Sequence, residues 1–204
     1  MSKSKSSKSH KVRNDFYRLF ACACVAVNTG DLKPLRKCLA SGINPDSPER
    51  DNFGRTLLFR HELPSSVAKV LLDAKANARA WDANGFTPLH NANIEVARLL
   101  LARGADIEAR EHQFLGTPLL TQAAMGRADM VEFLLDHGAN VDAQTNQGGT
   151  ALSTAQTAGH TDVCDVIIAH VAAKRQRALD VVAATAQPGY VRAPTESSQA
   201  QRRM

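Results

Sequence analysis

One segment of this chain returns, altered but recognisable, roughly every thirty residues, and a period of that length points to a repeat architecture. The segment reads TPLHNANIEVARLLLARGADIEA from Thr87 to Ala109 and TPLLTQAAMGRADMVEFLLDHGANVDA from Thr117 to Ala143. A third copy, TALSTAQTAGHTDVCDVIIAHVAA, runs from Thr150 to Ala173. TLLFRHELPSSVAKVLLDAKANARA precedes them, from Thr56 to Ala80, and the most divergent copy, ACACVAVNTGDLKPLRKCLASGINPD, spans Ala21 to Asp46. A unit this short cannot bury its own apolar face, so stability has to come from contacts between stacked neighbours.

The apolar positions agree with that reading. Leu39, Leu72, Leu101, Leu135 and Ile168 recur at one place in the unit, and Cys38, Leu71, Leu100, Leu134 and Ile167 one residue earlier. Leu35, Val131 and Cys164, three residues before members of the second row, fall on the same face of a helix. Gly42, Gly104 and Gly138 follow these helices, where a left-handed cap favours glycine. Lys75 stands at the same place in its unit, which predicts a less sharply ended helix there.

Asp82, Gly85, Thr87, Pro88, Leu89 and His90 open one unit, and Gly104-Ala105-Asp106 and Gly138-Ala139-Asn140 close two of them. This pattern resembles the ankyrin-repeat family, whose unit opens D-x-x-G-x-T-P-L-H and ends G-A-D. The resemblance covers about residues 15–173 and implies an all-α solenoid of about five helix-turn-helix units with short β-hairpin fingers, serving protein recognition. It assigns structural roles to Asp82, Gly85, Thr87, Pro88, Leu89, His90, Gly104, Thr117, Pro118 and Gly138. Thr87 and His90 together keep the family's hydrogen-bonding pair, so His90 is read as a scaffold residue and not a catalytic one.

The units are unequal. Thr117 to Thr150 is 33 residues, Thr87 to Thr117 is 30 and Thr56 to Thr87 is 31. Thr117 lies 17 residues before Leu134, but Thr87 only 13 before Leu100 and Thr56 only 15 before Leu71. The first helix is therefore short in two adjacent units, by about one turn in one of them. One residue is regained in the finger around Gln113 to Gly116. In the family first helices line the concave face, so two short ones leave either a recess near His61, Glu62, Asn91 and Asn93 or a gap closed by repacking. Pro64, Ser65 and Ser66 mark a helix break and restart, and Asn93 is placed to cap the next helix.

The same resemblance gives the contact positions. In the fingers they are Asn52, Phe53 and Arg55; Ala83, Asn84 and Phe86, with Trp81 at the base; His112, Gln113, Phe114 and Leu115; and Asn146 and Gln147. On the concave face they are Ala124, Met125, Thr157 and Ala158. Exposed aromatic and arginine residues are the types that anchor interfaces. Phe53, Phe86 and Phe114 are equally compatible with a core role.

Charge sits at the ends. Residues 1–14 carry +5 and residues 174–204 carry +4, leaving −4 on the body, although the whole chain is +5. Residues 1–14 are Ser- and Lys-rich and read as a disordered basic tail. Residues 174–186 read as a helix that extends or caps the last unit and covers its apolar end, stopped by Gln187-Pro188-Gly189, and 187–204 as a disordered tail. An alternative function follows from the tails: an adaptor held to nucleic acid or an anionic membrane by salt-sensitive attraction.

No apolar run is long enough for a transmembrane helix, and no secretory signal pattern is present, which predicts a cytoplasmic protein. Cys22, Cys24, Cys38 and Cys164 match no zinc spacing and read as reduced core residues. His61, His90, His112, His137 and His160 are scattered, and no nucleophile motif or phosphate loop appears. The expectation is a monomeric, non-catalytic scaffold with a protein partner and without metal or cofactor.

Overall fold

The computed structural model describes residues 3–49 and 53–185. Among them are eight α-helices: α1 Lys3–Thr29, α2 Lys33–Ala40, α3 Ser65–Asp73, α4 Ile94–Ala102, α5 Pro118–Ala124, α6 Ala128–Asp136, α7 Ala151–Ala158 and α8 Thr161–Thr185. Two short 3₁₀ turns, Leu57–Phe59 and Pro88–Asn91, complete the series. They pair into five units: α1 with α2, each 3₁₀ turn with the helix after it, α5 with α6, and α7 with the start of α8. Contacts then run from unit to unit, α5 against α7 and the second 3₁₀ turn, α3 against α4, and α4 against α6.

The row one residue before the second leucine is the innermost. Leu71, Leu100 and Leu134 are fully buried and Ile167 nearly so. Truncating any of these leucines to alanine removes contacts on both sides of the stack, at a typical cost of about 2–5 kcal/mol. α1 supplies the matching face for the first unit through Phe16, Leu19, Ala23 and Ala26, spaced three and four apart and all buried.

Three expectations change. The segment read as a disordered tail carries helix from Lys3 onward, continuous with the packed part of α1. Nothing between Lys3 and Thr29 is Gly or Pro, so no residue stops the helix before Gly30. The C-terminal helix is likewise one with α8, which runs unbroken to Thr185. Residues 171–185 are exposed throughout, including Leu179, Val181 and Val182. The chain divides into two compact units on either side of Ile167 and Ile168. The tail read over 187–204 and its Pro188-Gly189 stop lie outside the described residues.

The third change is Lys75. Its φ is +65°, the left-handed conformation that Gly104 and Gly138 take at the equivalent place. Lys75 N–H donates to Leu72 O at 3.0 Å and Ala76 N–H to Leu71 O at 3.0 Å. The pair at Gly104 and Ala105 does the same with Leu101 and Leu100, at 2.9 Å each. α3 therefore ends as sharply as its neighbours, with lysine forced into a glycine conformation. Pro64 itself occupies the N-cap of α3 without a side-chain bond, whereas Asn93 Oδ1 caps α4 by accepting Val96 N–H at 2.9 Å.

A candidate protein-binding groove between fingers and inner helices

The last three fingers are tight turns, each tied by one polar side chain at its base. Asp82 Oδ1 accepts the N–H groups of Asn84 and Phe86, both at 2.9 Å. Thr145 Oγ1 does this for Gln147 at 3.3 Å and Gly149 at 3.0 Å. The finger between them has one more residue, and its base is Glu111. Glu111 accepts from Gln113 at 2.6 Å, Phe114 at 2.7 Å and Gly116 at 2.9 Å. The longer side chain reaches across the extra residue, which the turn absorbs at Leu115 with φ +56°. Among the described residues strand pairing is limited to the single bridge Gln144–Thr150, so the implied β-hairpins are reduced to turns.

Successive tips are joined by backbone. Ala83 N–H donates to Phe53 O, His112 N–H to Asn84 O and Asn146 N–H to Phe114 O, each at 2.8 Å. Side chains reinforce these joints. Arg55 Nε bonds Asp82 Oδ2 at 2.8 Å, with the Asp82 side chain fully buried. Arg110 Nη1 donates to Leu115 O at 3.0 Å and Gln144 O at 2.9 Å. The His112 ring lies over Gly85, whose φ is +82°, so closely that a β-carbon there would come within 2.5 Å of it.

Below the fingers, the Thr that opens each of the last four units caps the first helix to a degree set by the residue three positions on. Thr87 and His90 form a reciprocal capping box, with Thr87 N–H donating to His90 Nδ1 at 3.0 Å. Nδ1 is thus an acceptor, and Nε2–H is left to donate to Gly116 O at 3.2 Å. Burial, opposed by that carbonyl and by the charges of Glu111 and Asp82, holds the His90 pKa below its ordinary value. Burial alone would raise the pKa of Glu111, but the N–H groups of Gly116, Gln113 and Phe114 outweigh it and hold the carboxyl low. Thr150 and Ser153 repeat the box. Thr117 has Leu120 opposite and keeps only one long bond, 3.4 Å. Thr56 has Phe59 opposite, and its buried hydroxyl has no partner among the described residues.

The short first helices are real: 3₁₀ turns stand where later units have α5 and α7. Two small cavities open beside them. One of about 320 Å³ includes His61 and Glu62 against α1, and one of about 180 Å³ includes His61 and Asn91. Asn93 lines neither; its side chain is spent on capping and on Leu63 O at 3.3 Å.

The larger opening is elsewhere. A groove of about 610 Å³ runs between the last three fingers and the first helices of the last two units, α5 and α7. Phe86, Phe114, Leu120, Ala124, Met125 and Ala158 form its apolar wall, with Gln147 and Thr157 at the edge. Phe114 and Met125 are 45% and 48% exposed. Phe86 is half-buried, its ring edge-to-face with His90 at 5.3 Å.

Of the contact residues read from sequence, Phe86, Phe114, Met125, Gln147 and Thr157 come together in this groove. Trp81 does not. It lines a separate opening with Arg79, Asp106 and Ile107, its ring 6.0 Å from that of His112. Phe53 and Leu115 are exposed on tips outside both, and Arg55 is tied into the Asp82 ion pair. Gln113 and Asn146 are exposed tip residues bonded to each other, Asn146 Nδ2 to Gln113 O at 2.9 Å. Asn84 is likewise a joint, and Asn52 lies outside the described residues. The sequence reading missed Glu111, whose signal was an acid one residue early for its finger. It also missed Leu120, Thr121, Ser153 and Thr154 on the groove floor.

Fold and surface define a helical repeat array with an open apolar groove. The family model for ankyrin repeats (3 copies) matches residues 22–111 and again 109–178, and the chain belongs to that family. Such repeats are generally protein–protein interaction modules without catalytic activity of their own. The chain is similar to mouse "B-cell lymphoma 3 protein homolog", 34% identical over 135 residues, which is 61% of this chain and 30% of that protein. It is similar to human "Neurogenic locus notch homolog protein 1", 35% identical over 115 residues, 54% of this chain and 4% of that protein. A "Putative ankyrin repeat protein" of Rickettsia bellii is 33% identical over 129 residues, 56% of this chain and 36% of that protein. The chain thus spans about a third or less of the length of these relatives. No helix among the described residues is long and apolar enough to cross a membrane.

Proposed function

We propose that this chain is a non-catalytic scaffold that binds a protein partner in the groove between its last three fingers and the first helices of its last two units. The observation that carries the reading is the exposure of Phe114 and Met125 on one apolar wall that no other described residue covers. Large side chains of this kind contribute most where they are desolvated by a partner. The fingers add rigidity: their joined tips fix the upper wall before binding, which lowers the ordering cost of association.

The test is site-directed cross-linking in native lysate. A photoreactive residue at Thr157 should capture a discrete partner, and capture should survive high salt because the wall is apolar. The double substitution Phe114→Ala, Met125→Ala should abolish it while helical circular dichroism is kept. Equal capture by that variant, or stronger capture from a photoreactive residue at Trp81, would move the site out of this groove.

A further inference from the structure

Cys22 on α1 and Cys38 on α2 bring their sulfurs to 2.9 Å, across 16 residues of sequence. Both are unpaired and partly buried. A disulfide bond is about 2.05 Å long, so less than an ångström of approach separates the pair from bonding. The helices that carry them pack directly on each other. Cys24, two residues along α1, lines the cavity shared with Phe20, Val27 and His61, on a different side of the helix. The geometry therefore selects one pair out of the four cysteines.

We propose that Cys22 and Cys38 are an oxidation site, closing to an intramolecular disulfide in the presence of hydrogen peroxide or a small organic disulfide. With peroxide, one sulfur takes up an oxygen to give a sulfenic acid and one water leaves. The second thiol then attacks that sulfur, the S–S bond forms and a second water departs. Two electrons pass from the sulfurs to the peroxide, and the two thiol protons end in water. Burial, then the hydrogen bond with Cys38, pushes the Cys22 thiol up to about 11. Cys22 therefore rests as a thiol near neutral pH, and proximity rather than thiolate character favours closure.

The effect falls on the first unit. Among the described residues this unit packs on a neighbour on one side only, and such repeats open first. A bond from α1 to α2 restricts that opening by closing a loop in the unfolded chain.

Intact-mass measurement on the full chain tests the proposal. After peroxide treatment and alkylation under denaturing conditions, two cysteines should remain unmodified and the protein should be lighter by two hydrogens, about 2 Da. Tryptic digestion should join the peptide Leu19–Arg36 to Cys38–Arg50. Cys24→Ser should keep the link, and Cys22→Ser and Cys38→Ser should each lose it. The oxidised wild type should unfold at higher urea concentration, and reductant should reverse the shift. A link that survives Cys22→Ser would overturn it, and so would four alkylated cysteines or cross-linking only between chains, two readouts on the wild type that do not depend on any variant folding.

Discussion

His90 and Glu111 hold the same residue from two sides: His90 Nε2 meets Gly116 O at 3.2 Å and Glu111 Oε1 accepts Gly116 N–H at 2.9 Å. One comes from the body of its unit and the other from the next finger. Together they fix the point where that finger enters the following helix.

Replacing His90 with alanine should therefore cost roughly 2–4 kcal/mol, because Thr87 N–H and Gly116 O lose their partners in a buried place. Urea unfolding followed by circular dichroism measures it. A loss below about 0.5 kcal/mol would mean that water substitutes for the ring.

The two groups also set an acid response. The His90 pKa is held below 6.5 in the fold, so as pH falls below 6.5 the unfolded chain gains a proton that the folded chain refuses, and stability declines. Glu111 is held below 4.5, so its contribution is complete above 4.5 and is lost as pH falls through the lower folded value. Melting temperature should fall in two stages, and the upper stage should shrink in His90→Ala.

Glu111→Asp should destabilise the finger by about 1–3 kcal/mol, since a shorter carboxylate cannot reach three N–H groups across the extra residue. Hydrogen exchange at Gln113, Phe114 and Gly116 should rise together. Unchanged protection there would show that the turn holds itself.

Lys75→Gly should raise stability by about 0.5–1 kcal/mol by removing the Cβ from a left-handed residue, less the entropy glycine adds to the unfolded chain. Lys75→Ala keeps the Cβ and should give no gain. Equal gains in both would point to charge rather than backbone as the cause.

Thr56 and Thr87 make an internal comparison. Thr87→Val should cost about 1–2 kcal/mol through the lost capping box. Thr56→Val removes a hydroxyl without a partner and should be neutral or stabilising by up to about 1 kcal/mol. If both substitutions cost the same, the Thr56 hydroxyl has a bond after all.

The stack was readable in advance because it depends on spacing: the buried row of Leu71, Leu100 and Leu134, the glycine caps and the two short first helices all follow from counting residues. Properties that depend on direction were not readable. Phe86 and Phe114 reach the groove while Trp81 turns to another opening, and the twist of each finger decides which. Arg55 looked like a free contact because its partner Asp82 is 27 residues away. Glu111 escaped notice because a familiar carboxylate appeared with the wrong length at the wrong offset, two departures that cancel only in three dimensions. The helical start of α1 was hidden by a composition that suits solvent equally well.

The backbone joints between the described tips all point one way: the later tip donates, the earlier accepts. A row built like this has a polarity, much as a zip has an open and a closed end. An inserted residue in one finger would push every later donor past its acceptor unless the insertion were absorbed where it arose. Glu111 absorbs one. Lengthening of this array is thus confined to fingers whose base can grow with them.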